Sequence, residues 1–253
     1  MKLSYKKLGD GEPLVILHGL FGMLDNWFTL GKKFAENFTV YLIDLRNHGQ
    51  SPHSDEWNYK VMSDDLLQFF DDHNIEKAKI IGHSMGGKAA MYFAGEHSER
   101  VKKLVVVDIA PRFYPIHHDT ILKALLSIDL ENLKSRNQAD EVLSTYISDF
   151  GTKQFLLKNL ARKENDNTKF EWKFNLPVIE KNIQEVGVET AKGSTVPALF
   201  IRGDKSDYIN QPDETEIKKQ YPNSDIVSIN SGHWVHAEKP EEFYSSVMKF
   251  LKN

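Results

Sequence analysis

The sequence predicts an α/β fold, a mostly parallel central sheet flanked by helices and broken by one helical insertion. Three observations predict it. Short apolar runs alternate with helical patterns, as repeated strand–helix–strand units require. The middle runs are apolar throughout instead of alternating, as strands covered by helices on both faces are. A glycine-flanked serine, Gly82-His83-Ser84-Met85-Gly86, lies between one such run and a helix of small residues.

In chain order, strands are expected over 3–7, 14–17, 40–43, 79–81, 104–107, 198–201 and 225–229. The runs Leu14-Val15-Ile16-Leu17, Val40-Tyr41-Leu42-Ile43 and Leu104-Val105-Val106-Val107 are the clearest. Helical patterns fall over 26–36, 59–73, 85–96, 213–220 and 241–251. From about 112 to 193 no convincing strand is legible, only helical stretches over 119–127, 140–149, 153–160 and 178–186. This interval reads as a helical insertion between neighbouring strands, with 1–111 and 194–253 forming the core. No internal repeat or low-complexity segment interrupts the pattern.

Composition narrows the function classes. A chain of 253 residues suits one large domain of this class. The net charge is −4 with no long block of like charge, which argues against nucleic acid or an anionic membrane as partner. Without cysteine, neither a disulfide framework nor a Cys-based metal site is possible. The opening Met1-Lys2-Leu3-Ser4-Tyr5-Lys6-Lys7 lacks the apolar stretch of a signal peptide, so a cytoplasmic location is expected. No metal or organic cofactor is implied.

The candidate chemistry sits just after strands, where open α/β sheets bind ligands. Gly82–Gly86 fits the Gly-x-Ser-x-Gly elbow, a strained strand-to-helix turn that exposes a serine hydroxyl above the sheet. Its glycines are needed because the flanking backbones approach too closely for a Cβ. A serine needs a base to take its proton and a third group to orient that base. His233, in Asn230-Ser231-Gly232-His233-Trp234 after the last strand, is the candidate base, with His236 as runner-up. Three aspartates could face it: Asp108 at the end of the strand 104–107, and Asp204 and Asp207 after the strand 198–201. The backbone N–H of Met85, beside one from the loop His18-Gly19-Leu20-Phe21-Gly22, would form an oxyanion hole, with Leu20 favoured and Phe21 as the alternative. His18 reads as a loop brace. The polar run Asp44–Ser51 reads as a device that ties loops together.

These residues together resemble the α/β-hydrolase superfamily over nearly the whole chain, with the insertion the weakest part. More narrowly, Asp44-Leu45-Arg46-Asn47-His48-Gly49-Gln50-Ser51-Pro52-His53, Gly82–Ala90, Val107-Asp108-Ile109-Ala110-Pro111 and Gly232–Pro240 look like the YbfF-type carboxylesterases. The resemblance implies a small esterase acting on acyl esters or thioesters, with the insertion 112–193 as a helical cap. In the superfamily at large the acid follows the strand after the cap, three residues beyond a glycine; here that position is Ser206. The YbfF-like pattern supplies the acid from Val-Asp-Ile-Ala-Pro, which implies Asp108 rather than Asp207 or Asp204. Phe113, Tyr114, Leu122, Trp172 and Phe174 are the candidates to line an acyl pocket, though packing within the insertion accounts for them equally. The expected activity is therefore hydrolysis of short to medium acyl esters through an acyl-enzyme. Its alternatives are a C–C bond hydrolase, a proton-abstracting lyase or a perhydrolase on the same triad, or a small-molecule receptor using the pocket. Epoxide hydrolases and haloalkane dehalogenases use an aspartate where this chain has Ser84.

Overall fold

The structure is a computed structural model that describes residues 1–190 and 192–253; the expected insertion 112–193 thus contains one residue, Ala191, outside the described residues. Seven strands form the central sheet: β1 (Tyr5–Leu8), β2 (Glu12–Leu17), β3 (Phe38–Ile43), β4 (Ala78–His83), β5 (Val101–Val107), β8 (Ala198–Gly203) and β9 (Ser224–Ile229). Their order across the sheet is β1-β3-β2-β4-β5-β8-β9. Only β1 runs antiparallel, pairing Tyr5 with Ile43 and Leu8 with Val40.

The apolar runs are continuous because both faces of the sheet are covered. Val15, Leu17, Ile80, Leu104 and Val106 join one core cluster, while Leu14, Ile16, Ile81, Val105 and Val107 join the other. On the first face Leu66, Phe69 and Phe70 of the helix Tyr59–Asp72 pack with Ala89, Ala90 and Phe93 of the helix Met85–Glu96. On the second, Leu30 and Phe34 of the helix Phe28–Phe34 meet Phe243, Val247 and Leu251 of the helix Pro240–Lys252. Each strand thus divides its residues between two cores at period two.

Two expectations shift at their ends. The first strand begins at Tyr5 rather than residue 3, because Leu3 plugs the core beside the sheet instead of pairing. The helix expected from residue 26 is a 3-10 turn, Leu24–Trp27, followed by an α-helix from Phe28.

The larger correction lies between β5 and β8. This segment contains an antiparallel hairpin, β6 (Leu160–Lys163) with β7 (Asp166–Trp172), where only helices were expected. Lys169, Glu171 and Lys173 alternate with the buried Phe170, Trp172 and Phe174. That period-two pattern is the strand signal. The helices here are Asp119–Leu126, Arg136–Ser144, Phe150–Leu157, Leu176–Lys181 and Gln184–Gly187. The second starts at Arg136 because the Ser135 hydroxyl accepts a hydrogen bond from the Gln138 N–H at 3.2 Å, an N-cap that ends the preceding loop. Apolar residues of the segment, among them Leu125, Leu143, Leu156 and Ile179, join the core cluster of the first face.

Candidate active site

Ser84 sits between β4 and the helix Met85–Glu96 with φ 52° and ψ −118°, outside the regions a non-glycine residue prefers. The turn is held from all sides. The Ser84 N–H donates to the Val107 carbonyl at 3.0 Å. A Cβ at position 82 would stand 2.2 Å from the Gly86 carbonyl oxygen, and one at position 86 would stand 2.4 Å from that of His18. No side chain fits at either glycine, so the packing of helix on strand dictates both.

At the end of the neighbouring strand β5, Asp108 is fully buried with φ 51°. Its Oδ1 accepts the Gly203 N–H at 2.9 Å. Its Oδ2 accepts from both the Ser206 hydroxyl and His233 Nδ1, the latter at 2.8 Å. His233 is carried back over the sheet by the loop after β9. Its ring stacks on Tyr208 at 4.0 Å and 19°, and its carbonyl accepts from His83 Nε2 at 2.9 Å. Burial holds His83 well below its ordinary pKa, with His236 and His233 adding to the effect, so it stays a neutral donor of fixed tautomer.

Asp204 and Asp207 are exposed and make no hydrogen bond to His233 among the described residues. His236 stacks on Trp27 at 4.1 Å and 7°, away from Asp108, and burial lowers its pKa to about 3.

Across the sheet, the loop after β2 approaches the elbow. His18 donates from Nδ1 to the Gly19 carbonyl at 2.8 Å and accepts the Leu45 N–H on Nε2 at 3.0 Å. That is the bracing read from its position. Phe21 has φ 56° and is pinned at both ends. Its N–H donates to His48 Nε2 at 3.3 Å, and its carbonyl accepts from Asn159 Nδ2 at 2.7 Å. The N–H groups of Leu20 and Met85 have no protein acceptor among the described residues. Met85 opens a helix, where the first N–H groups lack intrahelical partners and the dipole favours negative charge. The Asp44–Ser51 run ties loops together as read: Asp44 accepts the Leu24 and Gln50 N–H groups at 2.7 and 2.9 Å, and Arg46 forks onto Asp65 at 2.6 and 2.9 Å.

Ser84 and His233 line one cleft, whose empty space is about 840 Å³ with its opening to solvent included. No Lys, Arg, Asp or Glu lines it among the described residues. Its apolar wall is Leu20, Phe21, Ile121, Phe155, Leu156 and Trp234, and its polar wall includes His117, His118 and Tyr208. The residues expected to line an acyl pocket do not line this cleft. Phe113 is exposed, Trp172 and Phe174 stack on each other beside a separate surface groove, and Leu122 is buried in the core. Tyr114 lines a small adjoining cavity that Ser84 also touches. Sequence reasoning therefore missed Ile121, Phe155, Leu156 and Tyr208. A helical pattern shows that an apolar face exists, but which face meets the cleft depends on how the helix docks.

Comparison with known proteins places the chain in a family. A family model for the alpha/beta hydrolase fold matches residues 12–158. Esterase YbfF of Escherichia coli is 36% identical over 96% of this chain and 94% of its own length. The sn-1-specific diacylglycerol lipase ABHD11 of Danio rerio is also 36% identical, over 96% of this chain and 80% of its own. A solved structure described as a marine microorganism esterase superposes with TM-score 0.95 and 43% identity, covering 98% of this chain and 99% of that one. More distant structures at 16–20% identity, including an enol-lactonase and a meta-cleavage product hydrolase, share the fold. By sequence and by structure alike, the chain belongs to the α/β-hydrolase fold family and is one of its esterase/lipase-type hydrolases.

Proposed function

We propose that the protein hydrolyses carboxylic esters or thioesters of short to medium acyl chains through an acyl-enzyme, with Ser84 as nucleophile, His233 as base and Asp108 as the acid of the triad. The observation that carries this reading is the 2.8 Å bond from His233 Nδ1 to a fully buried Asp108, in a cleft shared with the strained Ser84. With Nδ1–H held by the carboxylate, Nε2 is left as the basic nitrogen.

Ser84 Oγ attacks the acyl carbon while His233 Nε2 takes its proton. The carbonyl oxygen becomes an oxyanion that accepts hydrogen bonds from the N–H groups of Leu20 and Met85. Because the Phe21 N–H is taken by His48, Leu20 is the better first donor. Collapse of this intermediate breaks the C–O or C–S bond, and the imidazolium gives its proton to the departing alcohol or thiol. A water, deprotonated by the same imidazole, then attacks the acyl-enzyme and releases the acid. The segment 112–193 acts as a cap, since its Ile121, Phe155 and Leu156 form an apolar wall of the cleft. The absence of lining charge supports a neutral acyl chain as the occupant.

Rates on p-nitrophenyl esters from acetate to palmitate test the reading. Each buried methylene contributes about 0.8 kcal/mol, so kcat/KM should climb a few-fold per carbon until the pocket fills, then fall. Ser84→Ala should lower turnover by roughly 10⁶-fold with the fold intact, and a serine-directed phosphonate should label Ser84 alone. Near-wild-type turnover by the alanine variant would refute the mechanism. A maximum at palmitate would show that the cap opens as a lipase lid.

A further inference from the structure

Lys88 lies one helical turn beyond Ser84 and is fully buried, a costly place for an ammonium. A methionine would fill similar space without that cost. What the ammonium supplies is a pair of hydrogen bonds: Nζ donates to the Arg112 carbonyl at 2.6 Å and to the Val188 carbonyl, partners 24 and 100 residues along the chain. These are the two places where the proposed cap leaves and rejoins the core. There the two strands of chain run side by side, with the Tyr114 N–H on the Gly187 carbonyl at 2.8 Å and the Thr190 N–H on that of Pro111 at 2.9 Å. Lys88 is thus the charged pin of the neck.

The neck is wired to the cleft. Lys88 Nζ sits 5.1 Å over the Tyr114 ring. The Tyr114 hydroxyl accepts the Ala110 N–H at 2.8 Å and donates to the Tyr208 carbonyl. Tyr208 in turn stacks on His233, and its hydroxyl meets His117 Nε2 at 2.8 Å. Moving the neck therefore moves one wall of the cleft.

We propose that Lys88 is a positioning residue that fixes the seat of the cap on the core through these two carbonyls, and so sets the enzyme's hold on longer acyl chains. The proposal rests on the ester-hydrolase reading above. Acetate reaches little beyond the triad, whereas octanoate must contact Ile121, Phe155 and Leu156, which only a seated cap presents. Loss of the pin should raise KM for the long ester and leave the short one unchanged.

The pin also carries a pH signature. Burial and, to a lesser degree, the nearby Arg112 guanidinium lower the Lys88 pKa to about 7, with Glu189 opposing both. The other titratable groups around the small cavity at Lys88 are Tyr59, Tyr114, Tyr208, His117 and His118. Burial raises the pKa of all three tyrosines and lowers that of His118 to about 4, so none of these four changes charge between pH 6 and 9. Above pH 7 Lys88 becomes a neutral amine, whose bonds to carbonyls are weaker than an ammonium's.

Lys88→Met tests this. Expected are a Tm near that of wild type, since relief from burying an ion is set against two carbonyls left without a donor, and acetate kinetics within twofold. KM for octanoate should rise five- to twentyfold, and amide exchange across 112–190 should quicken. In the wild type, the octanoate-to-acetate KM ratio should rise from pH 6 to pH 9, and in the methionine variant it should be flat. Equal KM values in both proteins, or an equal loss of kcat on both esters, would overturn the proposal. Should the variant not fold, a wild-type ratio that stays constant over that pH range overturns it alone. If the wild type cleaves no ester, the ester-hydrolase reading fails, and the amide-exchange comparison still decides the role of Lys88.

Discussion

At the scale of single residues, the proposed triad rests on one buried carboxylate with three hydrogen-bond donors. Asp108 Oδ1 holds the Gly203 backbone, and Oδ2 is shared by Ser206 and His233. Three donors hold the carboxylate still, which is what the proposed base needs to keep its tautomer. Asp108→Asn keeps the shape but replaces one acceptor oxygen by an amide donor that cannot accept the Nδ1 proton. The expected loss in kcat is about 10⁴-fold. Asp207→Asn, altering an exposed residue, should cost less than threefold. Measured kcat values for the two variants decide the matter, and the reverse ranking would move the acid to the loop after β8.

At the scale of elements, the inserted segment does more than lie over the cleft. Asn159, just before the unforeseen hairpin, donates to the Phe21 carbonyl and so grips the loop that carries Leu20. Phe21 is strained at φ 56°, and its conformation is held by this bond and by the one to His48. Removing a buried donor leaves its carbonyl partner unpaired, at a cost of about 1–3 kcal/mol. Asn159→Ala should therefore lower kcat on a short ester roughly tenfold, through a displaced oxyanion donor, with KM little changed. Wild-type kcat in this variant would show that His48 alone holds the loop.

At the scale of the whole molecule, burial of neutral histidines dominates the response to acid. Burial depresses the pKa values of His18 and His83, those of His48 and His236 fall to about 3, and that of His118 to about 4. The unfolded chain binds protons on these rings near pH 6.5, whereas the folded protein does not until much lower pH. Stability is therefore full above about pH 6.5 and is lost as pH falls toward 4. Unfolding at pH 5.5 should take up at least about three protons, a slope of about 4 kcal/mol per pH unit. Urea midpoints between pH 7 and 5 measure it, and a flat profile would mean that the rings are solvated.

What the sequence determined by itself was whatever local pattern encodes. The seven strands of the sheet follow from continuous apolar runs, and the elbow follows from glycines at 82 and 86 with a strand before and a helix after. The placing of His233 after the last strand, opposite that elbow, follows from chain order in such sheets. The β6–β7 hairpin was not read from the sequence: the alternation of Phe170, Trp172 and Phe174 with charged residues is its signal, but the helical rhythm around it concealed the change of period. Which of three aspartates meets the histidine was a different kind of question. Asp108, Asp204 and Asp207 all follow strand ends, and only the register of β5 beside β8 brings one of them within 2.8 Å of His233. The same holds for the cleft wall, where Ile121 and not Leu122 faces inward, and for Lys88, whose partners lie 24 and 100 residues away. Periodicity reports that a residue is buried or that a turn is tight, because those depend on near neighbours in the chain. Which groups then meet depends on the docking of distant elements, and that is decided only when the two cores pack against the sheet.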